Sequence, residues 1–146
     1  MASAIQKVAM NHYLTIVPDA SVQEAVERMK LAADDAIVVN QMGHIVGIFT
    51  EHDLFEKVVS QKRDPKQTTV GEVMSAMPLT APDTIDEGQA LRLIHEAHRT
   101  HLVLLNKLNQ VVGVISANDI LEENLTKLQT ENKDLANYLM ADAPGG

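Results

Sequence analysis

The phrase Val46-Gly47-Ile48-Phe49-Thr50-Glu51-His52-Asp53-Leu54 returns 66 residues later as Val112-Gly113-Val114-Ile115-Ser116-Ala117-Asn118-Asp119-Ile120. Both copies have the form V-G-h-h-[ST]-x-x-D-h, where h is apolar. An apolar strand runs into a hydroxyl residue, and an aspartate follows three positions on. The match extends upstream: Val39-Asn40 answers Leu105-Asn106, and Pro18-Asp19 answers Pro82-Asp83 at an offset of 64. Two copies in 146 residues mean that each is too small for a sizeable core of its own, so they should pack against each other. A duplicated helix start flanking one interface implies a ligand site between the copies.

Each copy reads as strand, helix, strand, strand, helix. In the first, Thr15 to Val17 is a short extended piece ending at Pro18. Ser21-Val22-Gln23-Glu24 has the form of a capping box, and Val22, Ala25, Val26 and Met29 follow at helical spacing. Ala36 to Val39 and Ile45 to Phe49 form a hairpin about Gln41-Met42-Gly43-His44, and Thr50 starts a helix with Leu54, Phe55, Val58 and Val59 on its apolar side. Gln61 to Thr68 is a polar linker. The second copy repeats the order, with Pro78 to Ala81 extended and a helix over about Asp86 to His98 carrying Ala90, Ile94 and Ala97 on one face. A hairpin of Leu102 to Leu105 with Val111 to Ile115 follows, and Ser116 begins the last helix. The expected class is therefore α/β (α+β), two tandem repeats with pseudo-two-fold symmetry plus a C-terminal helix. The boundaries are an N-terminal segment over 1–12, repeats over 13–60 and 70–121, a linker over 61–69, and a final helix and disordered tail over 122–146.

Composition narrows the function classes. With 45% hydrophobic residues but only 3% aromatic, aliphatic side chains must fill the core. No apolar run approaches the roughly 20 residues of a membrane span, and Met1 to Tyr13 lacks a signal-peptide pattern, so a cytoplasmic location is expected. The absence of cysteine removes disulfides and thiolate chemistry. A net charge of −8 argues against a broad electrostatic grip on nucleic acid, so a phosphate ligand must be held locally. No serine–histidine–aspartate arrangement or glycine-rich phosphate loop stands out, and an enzyme is not expected.

The segments Gly47-Ile48-Phe49-Thr50-Glu51-His52-Asp53 and Gly113-Val114-Ile115-Ser116-Ala117-Asn118-Asp119 resemble the G-h-h-[ST]-x-x-D signature of CBS domains, and in tandem they resemble a Bateman module. The resemblance covers roughly Tyr13 to Ser60 and Val70 to Leu121. It implies a non-catalytic sensor of an adenosine ligand (AMP, ADP, ATP or S-adenosylmethionine) that requires no obligatory cofactor and pairs as a disc-shaped dimer.

The residues support that chemistry in their own terms. Thr50 and Ser116 fall at helix N-caps, where unpaired amides and the helix dipole favour an anion. Asp53 and Asp119 lie one turn in, where a carboxylate can accept from both hydroxyls of a ribose. The same S/T-x-x-D pattern also serves as a bare helix cap, so a ligand-independent dimerisation scaffold is the competing reading. The family often has a proline and a basic residue before the hairpin. Here the first copy has Asp34-Asp35 and the second Arg99-Thr100-His101, so Arg99 and His101 are the expected phosphate partners and the two sites should differ. If each copy grips its own phosphate, Asp119 matters more than Asp53. Thr15 and Thr80 fall where the family often places a ligand-touching threonine, although their spacing to the following proline differs. His95, His98 and His101 have metal-like spacing without a completing ligand.

The tail carries a second pattern. Leu121, Leu125, Leu128, Leu135 and Leu139 alternate at four and three residues, with Asn132 in the gap. This is a coiled-coil seam with one polar a position, a device that favours two strands in register, so a homodimer is expected.

Overall fold

A computed structural model describes residues 13–141, with side chains described to Leu139. The first repeat opens with β1 (Thr15–Ile16) and α1 (Val22–Ala32). Ser21 caps α1 by accepting from the Glu24 amide at 3.1 Å, while the reciprocal half of the expected capping box is not formed. Val22, Ala25 and Met29 bury the predicted face. β2 (Ala36–Gln41) and β3 (His44–Thr50) form the hairpin, turning through Met42 and Gly43, both in the left-handed region that two-residue hairpins require.

After β3 comes α2, α-helical over Glu51–Asp53 and π-helical over Leu54–Val59. The widened turn is visible in the Ser60 amide, which donates to the carbonyl of Phe55, five residues back. The expected apolar face is buried only in part: Val58 is buried and Leu54 partly so, but Phe55 and Val59 are exposed.

The chain then crosses to α3 (Val70–Val73) and β4 (Ser75–Ala76). Both complete the first repeat. Val70 and Val73 pack in its core with Ile16, Phe49 and Val58, and β4 pairs antiparallel with β3 through Gly47 and Ile48. The second repeat follows as β5 (Thr80–Pro82), α4 (Glu87–Glu96), β6 (His101–Leu105) and β7 (Val111–Ser116). Asp86 and Gln89 form a reciprocal capping box at the start of α4. Ala90, Ile94, Leu102, Leu104, Ile115 and Ile120 centre a separate core.

Two sheets result, in the orders β1-β2-β3-β4 and β5-β6-β7, with β1 parallel to β2, β5 parallel to β6 and the other pairs antiparallel. The register makes the duplication concrete. Thr15 stands opposite Val38 and Thr80 opposite Val103, so the two threonines are equivalent positions. Ala36 stands opposite Thr50 and His101 opposite Ser116, which makes Asp34 the counterpart of Arg99 and Asp35 that of Thr100.

α5 (Ala117–Ala141) is the expected final helix, 25 residues long. Ile120 anchors it in the second core, and Lys127 pairs with Glu87 of α4 at 3.0 Å. Beyond that, Leu121, Leu125, Leu128, Leu135 and Leu139 are each more than half exposed. Ala141 closes the helix. Residues 142–146, where most of the disordered tail is expected, and 1–12, the expected N-terminal segment, lie outside the described residues. Among the described residues, no helix is long and apolar enough to cross a membrane.

Candidate functional site

Among the described residues, a large cleft lies between the repeats at each duplicated helix start. The first, about 460 Å³, brings Thr50, Asp53 and Lys57 together with His98, Arg99 and His101 of the second repeat, over apolar walls that include Ile48, Met74 and Leu79. The second, about 680 Å³, brings Ser116 and Asp119 together with Lys30, Asp34 and Asp35 of the first repeat, beside Val26, Met29 and Leu54. The site residues therefore cross. Arg99 and His101 line the cleft of Thr50 and Asp53, not that of Ser116 and Asp119, so the assumption that each copy grips its own phosphate is corrected. The head-to-tail arrangement of the repeats is the reason: the segment before each hairpin faces the helix start of the other repeat.

Charge divides the clefts as sharply as geometry does. Among the described residues, the Ser116 cleft is lined by Asp34, Asp35, Glu51, Asp119 and Glu122 against a single lysine, Lys30. The Thr50 cleft carries Arg99 and Lys57 against Asp53 and Glu56, with three histidines. Among the described residues, the Arg99 guanidinium has no hydrogen bond or ion pair, so it can meet an incoming anion. An anion entering the Ser116 cleft meets five carboxylates.

The two aspartates differ as well. Asp53 is buried, and its Oδ2 accepts from the Thr50 amide at 3.0 Å and the Thr50 hydroxyl at 3.2 Å. Its Oδ1 accepts from the Ser75 hydroxyl at 2.8 Å and from Lys57 Nζ at 2.9 Å. Asp119 is exposed. Its Oδ2 accepts from the Ser116 amide at 3.0 Å, and its amide donates to Ser116 Oγ at 3.0 Å. Among the described residues, Oδ1 of Asp119 has no partner. Both motifs are thus helix caps, and only the second leaves an oxygen over.

His101 is committed on both sides. Nε2 lies 2.9 Å from Asp35 Oδ1 and Nδ1 lies 2.8 Å from Thr100 Oγ1, with the ring almost fully buried. With the Nε2 proton directed at the carboxylate, Nδ1 accepts from the threonine hydroxyl. The bond holds the Asp35 carboxyl below its ordinary pKa, against the opposing effect of partial burial. His101 is thus a clasp between the repeats and a wall of the cleft.

Thr15 and Thr80 line neither cleft. Thr15 sits in β1, where its carbonyl accepts from Arg28, and Thr80 is exposed in β5. His95, His98 and His101 do not converge, and no three His, Cys, Asp or Glu side chains among the described residues are grouped to hold a metal. Sequence reasoning missed Lys57 and Ser75, the partners of Asp53. Lys57 was accessible through its i,i+4 spacing from Asp53 on one helix. Ser75, reaching Asp53 from β4, carried no local signal.

Comparison with known proteins shows the family. The CBS-domain family model matches residues 5–60 and 70–125, two tandem copies covering most of the chain. The chain belongs to the CBS-domain family. An uncharacterized protein of Methanopyrus kandleri is 25% identical over 139 residues, 88% of this chain and 71% of the relative. The inosine-5'-monophosphate dehydrogenase of Thermoplasma acidophilum is 27% identical over 142 residues, 97% of this chain but 27% of that enzyme. Among solved structures, a CBS-domain protein of Burkholderia ambifaria described as acting in signal transduction superposes with a TM-score of 0.77 at 25% identity, over 85% of this chain and 94% of its own.

Proposed function

We propose that this CBS pair binds an adenosine nucleotide (AMP, ADP or ATP) in the Thr50 cleft and acts as a regulatory module without catalysis of its own. The observation that carries the reading is the meeting of Arg99 with the Thr50 helix start across one apolar-walled cleft. Arg99 offers donors to phosphate, Ile48, Met74 and Leu79 a surface for the purine, and Asp53 an acceptor for ribose. The Ser116 cleft, with five carboxylates and one lysine, disfavours a phosphate, so one nucleotide per chain is expected. Because the cleft takes residues from both repeats, a ligand there draws them together, and α5, continuous with β7, moves with the second repeat. The leucine stripe of α5 fits a second copy of this chain, giving a homodimer whose geometry the ligand changes.

A ligand-independent scaffold draws support from one observation, the full occupation of Asp53 as a cap and ion-pair partner. Calorimetry with AMP, ADP, ATP and S-adenosylmethionine decides between them. One site per chain for a nucleotide, weakened about 10- to 150-fold by Arg99→Ala and unchanged by Asp119→Ala, is the expected result. No binding of any of the four would leave the scaffold. Binding of S-adenosylmethionine alone would assign the other ligand class.

A further inference from the structure

The aspartate that a nucleotide needs for its ribose is the one with no oxygen to spare. Asp53 accepts four hydrogen bonds, from the Thr50 amide and hydroxyl, Ser75 and Lys57, and a carboxylate has about four acceptor sites. A ribose diol can bind it only by displacing a partner. The Thr50 bonds close the cap of α2, and losing them unwinds a helix start. Lys57 is the partner that can leave: its side chain is 40% exposed on a flexible stem, and its other two acceptors, Ser75 Oγ at 3.4 Å and the Met74 carbonyl at 3.5 Å, are distant. An ammonium drawn off a buried carboxylate needs a new anion. A phosphate in the same cleft supplies one, and an uncharged nucleoside does not.

The second repeat shows what the same motif is like without this lysine. The position equivalent to Lys57, seven residues after the cap hydroxyl, holds Glu123, and there Asp119 Oδ1 stands without a partner among the described residues. The plugged carboxylate thus occurs in the cleft with the phosphate-binding cation, and the unplugged one in the cleft that disfavours phosphate.

We infer that Lys57 is a specificity-determining residue: paired with Asp53, it bars unphosphorylated nucleosides from the Thr50 cleft and yields to nucleotides, whose phosphate takes over its charge. The inference rests on the nucleotide reading of that cleft.

The test is calorimetry of AMP and adenosine on the full chain, as wild type, Lys57→Met, Lys57→Arg and Ser75→Ala, with melting curves to confirm folding. Wild type should prefer AMP by about thirtyfold or more, in line with one charged hydrogen bond. Lys57→Met should cut that preference about tenfold or more, chiefly by tightening adenosine while Arg99 still favours AMP. Lys57→Arg should restore it, and Ser75→Ala, which frees one acceptor site but leaves the ammonium in place, should cut it less than Lys57→Met does. A Lys57→Met protein that loses affinity for both ligands in proportion overturns the inference, as does an unchanged ratio. Should Lys57→Met not fold, the Lys57→Gln ratio decides in its place. Wild type binding adenosine as tightly as AMP would overturn the role of Lys57 while leaving the cleft assignment standing. Failure of wild type to bind AMP, ADP or ATP would overturn the nucleotide reading itself.

Discussion

His101, the first residue of β6, and Asp35, the residue before β2, lie 2.9 Å apart across the junction of the two repeats. The contact joins the clefts: His101 lines the Thr50 cleft and Asp35 the Ser116 cleft. Replacing the buried imidazole with alanine removes two hydrogen bonds and should cost about 1–3 kcal/mol in urea unfolding. Asp35 is half exposed, so Asp35→Asn should cost less, under about 1 kcal/mol after solvent screening. Additive losses in the double variant would show that the residues do not act as a pair.

The same contact sets a pH dependence. The hydrogen bond from His101 holds the folded Asp35 carboxyl below its ordinary pKa, so the folded protein binds that proton less tightly than the unfolded chain. The stabilisation is complete above the ordinary carboxylate value near ~3.9 and is lost as the pH falls through it to the lowered one. The melting temperatures of wild type and Asp35→Asn should therefore differ at pH 6 and draw together as the pH falls through the lowered carboxyl value. A gap that widens on acidification would reverse the assignment.

The two signature aspartates should separate in stability even without ligand. Asp53 is buried and accepts four bonds, one of them from the half-exposed Lys57, so Asp53→Ala should cost about 2–3 kcal/mol. Asp119 is exposed and serves one half of a cap, so Asp119→Ala should cost about 1 kcal/mol. Equal losses in urea unfolding would mean that the Lys57 and Ser75 contacts add nothing to the cap.

What the sequence disclosed and what it hid follow from the range of each interaction. The hydroxyl caps at Thr50 and Ser116, the hairpins and the α4 capping box are local, and a three-residue spacing is enough to read them. The π turn after Asp53 is not encoded in an apolar stripe, and neither is the exposure of Phe55 and Val59. Most consequential, the duplication identified both helix starts but carried nothing about which repeat faces which, so Arg99 was paired with the wrong aspartate. The equivalence of Thr15 and Thr80 was obscured by their unequal spacing to proline and became plain only in the strand register.

Gly47, in the duplicated phrase, has a structural reason to be glycine. A Cβ there would lie 2.5 Å from Met74 Sδ and 2.9 Å from the Ser75 carbonyl, because β4 lies directly against it. Met74 can swing away, but the backbone oxygen cannot without β4 shifting. Gly47→Ala should cost about 1–3 kcal/mol as an overpacking change, and it should also disturb Ser75 and hence Asp53. Hydrogen exchange faster at the β4 amides than in the rest of the first sheet would confirm the route, and an unaltered melting curve would reject it.

The leucine stripe of α5 makes the last prediction. Five leucines at alternating spacings of four and three stand more than half exposed, with Asn132 at an a position between Leu128 and Leu135. A paired helix would bury them, and the asparagines would face each other only in the parallel, in-register dimer. Under three heptads is marginal alone, so the module's own helices should contribute the larger share of the interface. Replacing Leu125, Leu128 and Leu135 together by glutamine should therefore weaken the dimer by sedimentation without abolishing it. A monomer at every concentration would place the whole interface in α5. An unchanged dissociation constant would show that the stripe does not pair with its copy and is open to a different chain.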